Sequence, residues 1–367
     1  INFYSSTIFF RCKFSIMGKK NPQSYNLTQF SPGAGWACKL SPKELTQVLG
    51  KMKIELPKNT IGFESSEDCA VYPINANKFL LQSVDFFTPI VNDPFNFGKI
   101  AAANSLSDIY AMGGQPIYAL NIAEFPSDDL PLEVLSEIMD GGLNIANKAN
   151  IPILGGHTIK DPVPKYGLVV TGEVEKKNLA LNSTAKNGDV LILTKPIGLG
   201  IISTAIKKGD APIDIVNQSI SIMTQLNKEA SEAMNQIGIN SCTDITGYGL
   251  LGHLLEMCRA SNVSAIINYS NIPFIKGVHN LVEQGYVPGG TKKNLDFVES
   301  KIDFSDTISI NQKYLLADAQ TSGGLLISVA KEKAQSLQNL LFQKNCISNS
   351  IIGTITKQSE SSIYINN

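Results

Sequence analysis

The segment FLLQSVDFFTPIVNDPFNFGKIAAANSLSDIYAMGG, residues 79–114, decides the fold of this 367-residue chain. Its first part, Phe79 to Asp85, has the apolar pattern of a buried strand and ends in a carboxylate. Asp93 is a good N-cap and Pro94 suits the first position of a helix. The segment therefore predicts a strand followed by a helix, and the Gly113-Gly114 pair ends that helix.

The same alternation of strand-like and helix-like segments continues along the chain, and a polar stretch at 175–188 indicates a connection between two domains. We expect an α/β (or α+β) fold with a leader or flexible N-terminus at 1–26, an N-terminal domain at 27–180 and a C-terminal domain at 185–360. The other predicted strands are 151–154, 166–174, 190–194, 264–269, 324–329 and 350–356. The other predicted helices are 131–149, 199–207, 215–237, 250–260 and 331–343, and residues 286–312 are predicted to be irregular.

Charge and composition narrow the class of protein. The net charge is -1, so no electrostatic field favours nucleic acid or an anionic membrane. The six cysteines include no CxxC pair, which favours a reducing, cytoplasmic location. No apolar run approaches the roughly 18 residues of a membrane helix. We expect Met17 to be the start of translation and Ile1 to Ile16 to be leader sequence.

A second segment, Ser31 to Leu40, combines small residues with one thiol and one ammonium group. Its glycines allow close approach of a ligand to the main chain. Lys39 can reach phosphate oxygens and can lower the pKa of the neighbouring Cys38 thiol. Trp36, the one tryptophan in the sequence, is out of place in a loop built for close approach. The segment predicts a catalytic or phosphate-binding loop.

Four aspartates stand beside apolar or glycine-rich elements. A carboxylate at the end of a core element is costly to bury unless it is paired or binds a cation. Each one alone is an ordinary cap or ion-pair partner, but together with Lys39 they predict a site for phosphate and Mg²⁺, which takes a few carboxylates plus phosphate oxygens. The four are Asp68, Asp85, Asp108 and Asp244, and Asp108 shares a helix face with Asn104.

Glycine-rich turns are a weaker signal. Gly155-Gly156-His157-Thr158 follows a short apolar run, where main-chain N–H groups can bind an anion, but taken alone the segment is better explained as a simple tight turn. The chain contains no Walker A motif and no protein-kinase loop signature. Any ATP chemistry therefore uses a different scaffold.

The ordered set of motifs from about Leu27 to Ile355 resembles the selenophosphate synthetase (selenide, water dikinase) family. Single motifs would be weak evidence, but their order and spacing are highly specific. The matching segments are Gly33-Ala34-Gly35-x-x-Cys38-Lys39, Glu67-Asp68, Asp85-Phe86-Phe87, Asn104-x-x-Ser107-Asp108, Gly155-Gly156-His157, Leu193-Thr194-Lys195-Pro196, Thr243-Asp244, Pro288-Gly289-Gly290-Thr291 and Gln320-Thr321-Ser322-Gly323-Gly324.

The resemblance implies a two-domain fold like that of aminoimidazole ribonucleotide synthetase, each domain a sheet packed with helices, in a homodimer. It implies the reaction ATP + selenide + water → selenophosphate + AMP + phosphate. Carried over by position, the Mg²⁺ ligands are Asp68, Asp108 and Asp244. The ATP site is formed by Lys39, Ser65, Ser66, Glu67, Asp85 and Asp108, with Gly156, His157 and Thr158 from the dimer partner, and Lys39 is also catalytic.

The chain departs from this family at Trp36, which occupies the position of the catalytic cysteine or selenocysteine, and at Pro32, which replaces a histidine. Three hypotheses follow for Trp36. A selenocysteine codon is written as tryptophan; or the chain is a homologue without selenide activity; or Cys38 takes over as nucleophile. The first is favoured, because the one tryptophan falls at the one selenocysteine position.

Two other classes of function remain open on the sequence. One is a different ATP-dependent enzyme of the same fold, such as a purine-pathway synthetase or a thiamine-phosphate kinase, although the Cys38-Lys39 loop argues against it. The other is a silent, ATP-binding regulatory homologue, which would bind ATP without forming AMP from selenide.

Overall fold

The computed structural model describes residues 26–31, 47–49, 56–62 and 67–367. The strands are β1 (Ala70–Asn75), β2 (Lys78–Phe87), β3 (Gln115–Phe125), β4 (Ile153–Lys160), β5 (Lys165–Glu175), β6 (Val190–Leu193), β7 (Ser241–Asp244), β8 (Val263–Asn268), β9 (Ile302–Phe304), β10 (Leu325–Val329), β11 (Ser350–Lys357) and β12 (Ile363–Asn366). The helices are α1 (Pro94–Ala111), α2 (Leu132–Ala149), α3 (Leu199–Lys208), α4 (Ile213–Thr224), α5 (Lys228–Ile237), α6 (Gly249–Ser261), α7 (Val278–Glu283), α8 (Gly289–Val298), α9 (Ile310–Leu316) and α10 (Lys331–Gln343).

The first half of the chain forms a five-stranded sheet in the order β1-β2-β5-β3-β4, in which only the β3–β4 pair is parallel. Helix α1 packs on β2 and β5 and against α2, so the helices cover one face of the sheet. The side chain of Asp93 caps α1 by accepting a hydrogen bond from the Asn96 N–H at 2.7 Å, and Pro94 occupies its first turn, as the sequence predicts.

The second half forms a seven-stranded sheet in the order β7-β10-β6-β11-β8-β12-β9. Alternate residues of its strands enter two different cores. Leu191, Leu193 and Leu326 pack with residues of α6. Ile192 and Ile327, which point to the other face, pack with residues of α5 and α10.

Helix α1 is shared between the two halves. Fourteen of its eighteen residues are buried, which an amphipathic surface helix would not show. Phe97 and Ile100 belong to the same apolar cluster as Leu199 and Met223 of the second half. Because this cluster crosses the boundary, the polar side chains of α1 are held at the junction of the two sheets.

The structure confirms the α/β class with two sheet-and-helix units, and it corrects several local predictions. The helix predicted at 215–237 is two helices, α4 and α5. Residues 286–312 are not irregular but contain α8 and β9, and a strand, β12, follows the predicted last one. Gly155 to Thr158 lie inside β4 and not in a turn. In the described part of the chain, no helix combines the length and the apolar character needed to cross a bilayer.

Candidate functional site

Two of the predicted aspartates lie between the first sheet and helix α1. Asp85 is on the side of β2 that faces α1, and the Asn104 amide donates a hydrogen bond to its Oδ2 at 2.8 Å. Ser83, two residues earlier on the same side, donates a hydrogen bond to Oδ2 of Asp108. Helical spacing puts Asn104 and Asp108 on one face of α1, so each reaches a neighbouring position on β2.

The other two predicted aspartates face each other across the domain boundary. Asp68 precedes β1 of the first sheet, and Asp244 is the last residue of β7 in the second. The Thr243 hydroxyl donates a hydrogen bond to Asp68 Oδ1 at 3.0 Å. Oδ2 of Asp68 is buried and has no hydrogen-bond partner within the described residues. A buried carboxylate oxygen left in this way is open to a cation.

The carboxylates raise one another's pKa. Burial raises the pKa of Asp68 well above its usual range, and the Asp244 carboxylate raises it further. Burial also raises the pKa of Asp108, followed by the charges of Asp85, Asp244 and Asp68. Carboxylates that disfavour one another's ionisation indicate a site that is completed by positive charge.

Glu67 lies at the edge of this group. It accepts hydrogen bonds from the Asn182 N–H at 2.7 Å and from the Ser183 hydroxyl at 2.7 Å, both in the segment that connects the two sheets. Burial raises its pKa, and these hydrogen bonds lower it. Glu67 directly precedes Asp68. Its hydrogen bonds therefore link the chain at Asp68 to the segment that connects the two sheets.

Within the described residues, no three Asp, Glu, His or Cys side chains form a ready-made metal-binding cluster. Mg²⁺ keeps several waters and shares its remaining positions between one or two carboxylates and substrate phosphates. Asp68 and Asp244, with Asp108 nearby, are the residues that could hold it.

The predicted residues Gly156, His157 and Thr158 do not join this group within one chain. They lie on β4, the exposed edge strand, and Gly156 shares a cross-strand row with Asn121, Leu168 and Asp85. That places Gly156 three strands from Asp85, about 14 Å by normal strand spacing. The predicted residues Trp36, Cys38, Lys39, Ser65 and Ser66 lie outside the described residues.

The structure adds polar residues that sequence reasoning left without a role. Lys195 is 2% exposed and donates hydrogen bonds from Nζ to the main-chain carbonyls of Gln225, at 2.7 Å, and Ser322, at 2.9 Å. Asn227 donates to the Ser107 hydroxyl at 2.8 Å and to the Gly323 carbonyl at 2.9 Å. Lys195 belongs to a quoted motif and Asn227 does not, and only the folded chain shows what the two side chains contact.

A buried carboxylate also lies at the start of helix α3. Asp318 Oδ2 accepts hydrogen bonds from the N–H groups of Gly200, at 2.9 Å, and Ile201, at 3.3 Å, and Thr291 donates to Oδ1 at 2.8 Å. The helix dipole favours an anion at this end. Burial nevertheless raises the pKa of Asp318 to about 7, although these hydrogen bonds lower it.

We expect the replacement Asp318→Asn to remove part of the pH dependence of stability. The folded pKa is about 7 and the ordinary value is 3.8, so the folded chain holds a proton there that the unfolded chain has lost. The wild type should therefore lose stability relative to Asp318→Asn as pH rises from about 4 to about 7, and the difference should then stay constant. Denaturant unfolding across this range measures it. Asp306→Asn, an exposed change, should not alter the wild-type profile.

The fold and the site define an AIR synthase related protein. The family model for the N-terminal domain of AIR synthase related proteins matches residues 66–174, and the model for the C-terminal domain matches residues 186–366. Solved structures with this architecture include the thiamine monophosphate kinases of Aquifex aeolicus and Stenotrophomonas maltophilia. The first has a TM-score of 0.60 at 16% identity over 88% of this chain and 94% of its own, and the second a TM-score of 0.61 at 15% identity over 89% and 96%. At these identities the likeness shows the fold.

More similar relatives give the particular family. A selenide, water dikinase of Myxococcus xanthus is 50% identical over 319 residues, 86% of this chain and 90% of the relative. One from Caldanaerobacter subterraneus is 44% identical over 347 residues, 94% of this chain and 99% of the relative. The chain belongs to the selenide, water dikinase family.

Proposed function

We propose that this chain carries out the reaction of its family, in which ATP and water convert selenide to selenophosphate, AMP and phosphate. The observation that carries the proposal is the group of carboxylates held at the junction of the two sheets, in a chain of this family. Phosphoryl transfer depends on positioning and charge neutralisation more than on covalent help, and this group is suited to both.

Mg²⁺ is the proposed cofactor, held by Asp68, Asp108 and Asp244. The uncompensated Oδ2 of Asp68 and the raised pKa values of Asp68 and Asp108 support this assignment. When bound, the ion neutralises phosphate charge. Asp85 and Glu67, with Ser65 and Ser66, are proposed to line the ATP site.

Hydroselenide is a soft nucleophile and is already anionic at neutral pH, so it needs positioning and not a general base. Lys39 is proposed to reach the transferred phosphoryl group and stabilise its charge, as a positioned cation can.

The four described cysteines are free thiols, which supports a reducing compartment, the cytoplasm. Trp36 favours a second candidate, an ATP-binding homologue that does not turn over selenide.

The test is AMP formation from ATP with the purified full chain and with its Trp36→Cys variant, with and without selenide, in the presence of Mg²⁺. Selenide-dependent AMP and selenophosphate from either chain support the proposed function. ATP binding by both chains without AMP formation supports the silent homologue. Phosphorylation of thiamine phosphate in the same assay would point to the other enzyme class of this fold.

A homodimer is also proposed, with the face of the first sheet opposite α1 as its interface. Val84, Val169 and Leu120 form one cross-strand row on the face opposite α1. Phe86 and Tyr72 lie on the same face, and Tyr72, Val84, Phe86 and Leu120 are exposed. An apolar patch of this kind marks an interaction surface. A second copy is the proposed occupant, because β4 carries Gly156 to Thr158 at the sheet edge, too far from Asp85 to serve it within one chain.

We expect Val84→Asp to convert the dimer into a monomer. Val84 is 55% exposed, so the folded chain tolerates a carboxylate there, whereas a self-complementary interface would bury two unpaired charges. Light scattering coupled to gel filtration measures the mass. Phe342→Asp, at an exposed apolar residue of α10, is the matched control and should keep the wild-type mass. A wild-type monomer would contradict the proposal.

A further inference from the structure

The loop Thr321–Gly324 of the second half is fastened to the nucleotide side of the site. The Ser322 N–H donates a hydrogen bond to Asn104 Oδ1 at 2.8 Å. The other end of the same amide donates to Asp85 Oδ2 at 2.8 Å. Asn104, which is fully buried, therefore connects this loop to the Asp85 carboxylate.

The conformation of the loop is unusual and tightly constrained. Ser322 has a φ of 52°, in the left-handed region that side chains other than glycine rarely adopt. A Cβ on Gly323 would lie 2.0 Å from the Ile245 carbonyl oxygen, and one on Gly324 would lie 2.4 Å from the main-chain nitrogen of Lys195. Such strain persists only where surrounding contacts hold it, and it tends to occur at functional sites.

The contact that holds Ser322 is a hydrogen bond from the buried Lys195 amino group. The Lys195 ammonium bonds the Ser322 carbonyl and, from the other side, the Gln225 carbonyl in the turn between α4 and α5. Burial lowers the pKa of Lys195 to about 7, while Asp244 raises it, so the fold keeps this group at a cost in free energy. A residue needed only for filling space would be apolar here.

We propose that Lys195 is a positioning residue for the nucleotide site. It fixes the main chain of Ser322, which holds the Asn104 amide and, through it, the Asp85 carboxylate. The inference rests on the proposed function for the nature of the ligand. It adds a residue of the second half that determines where a carboxylate of the first half stands.

The experiment compares Lys195→Met, Asn104→Ala and the double variant. Calorimetry measures the dissociation constant of a non-hydrolysable ATP analogue with Mg²⁺ and without selenide. AMP formation, with each change made in the Trp36→Cys chain, gives kcat and KM separately. We expect each single change to weaken analogue binding about tenfold and to lower kcat/KM by roughly 100-fold. Because both act on Asp85 through one chain of contacts, the double variant should be no worse than Asn104→Ala.

Two controls separate positioning from general stability. Lys333→Met removes a lysine that bonds the Gly238 carbonyl at 3.1 Å on the surface. Asn235→Ala removes another hydrogen bond across the boundary, to the Gly113 carbonyl at 2.9 Å. Both should bind the analogue as the wild type does. If Lys195→Met fails to fold, Asn227→Ala loosens the same loop at Gly323 and should give the same non-additivity with Asn104→Ala.

The proposal would be overturned if the fold-changes caused by Lys195→Met and Asn104→Ala multiply in the double variant. It would also be overturned if a folded Lys195→Met chain binds the analogue as tightly as the wild type. The proposed function is judged separately, by selenide-dependent AMP formation in the Trp36→Cys chain. A Trp36→Cys chain that binds the analogue but forms no AMP contradicts the proposed function, while the binding data still decide the role of Lys195.

Discussion

Asp108→Asn, made in a Trp36→Cys chain that carries a thiol at the family's catalytic position, is expected to abolish selenide-dependent AMP formation, lowering kcat by at least about 1000-fold, and at the same time to stabilise the metal-free chain. The asparagine can still accept the Ser83 hydrogen bond, so the local geometry is kept. What is lost is a negative charge that the site needs for a cation and its phosphates. The same loss relieves repulsion from Asp85, Asp244 and Asp68. Functional sites commonly trade stability for activity in this way.

Thermal unfolding in EDTA and in Mg²⁺ measures the second effect. We expect the melting temperature of Asp108→Asn in EDTA to exceed that of the wild type by roughly 3 °C. Mg²⁺ and ATP should raise the melting temperature of the wild type, and this increase should be largely lost in Asp108→Asn. Asp296→Asn, at an exposed position of α8, should match the wild type in both activity and stability. An active Asp108→Asn would remove this residue from the proposed site.

Trp36→Cys is expected to give the largest gain in activity, from undetectable turnover to at least about 100-fold above background. An indole cannot form the thiolate or selenolate that the family position supplies, whereas a cysteine close to Lys39 can. Selenide-dependent AMP formation, measured on the chain as written, on Trp36→Cys and on Cys38→Ala, distinguishes the three hypotheses for this position.

Each hypothesis predicts a different pattern. If codon 36 specifies selenocysteine in the native transcript, the chain with Trp36 is inactive and Trp36→Cys is active. If the chain is a silent homologue, both are inactive although both bind ATP. If Cys38 is the nucleophile, the chain as written is active and Cys38→Ala is not. The codon in the native transcript gives an independent check, because UGA specifies selenocysteine and UGG tryptophan.

Much of the fold could be predicted because its signals are local. Caps, apolar periodicity and strand–helix alternation are enough for α1 and for the two-sheet class. The break between α4 and α5 is not local, since the apolar pattern runs through it. What interrupts the helix is tertiary contact, with the Gln225 carbonyl bonded to Lys195 and the Asn227 amide bonded to Ser107 and Gly323.

The sequence does not predict helix α8, and it predicts only the beginning of strand β4, for related reasons. In α8 the inward residues include Thr291 and Asn294, and the Asn294 amide bonds the Gly247 and Ala317 carbonyls, so polarity does not mark its outer face. In β4 two glycines suggest a turn, yet parallel pairing with β3 keeps them extended. The carbonyl groups that α8 contacts and the strand that β4 pairs with are distant in the sequence, so no local pattern could show these contacts.

For the candidate site, the sequence identifies the aspartates as acids at the ends of core elements. It does not show which residues the polar side chains of the site contact. Asn104 and Ser322 are 218 positions apart, and Asp68 and Thr243 are 175 apart. The packing of α1 against the second half brings Asn104 to Ser322, and this packing depends on apolar surfaces that form no recognisable sequence motif.

Helix α1 also limits how a chain of this kind can evolve. Its buried residues fit the sheet of the first half on one side and α4 and α5 of the second half on the other. A gene recombined between relatives within the 175–188 segment would join halves whose contact surfaces had never been selected together. Exchange of whole halves should therefore be rarer than paired substitution across the boundary, although the connecting segment is polar and easily cut.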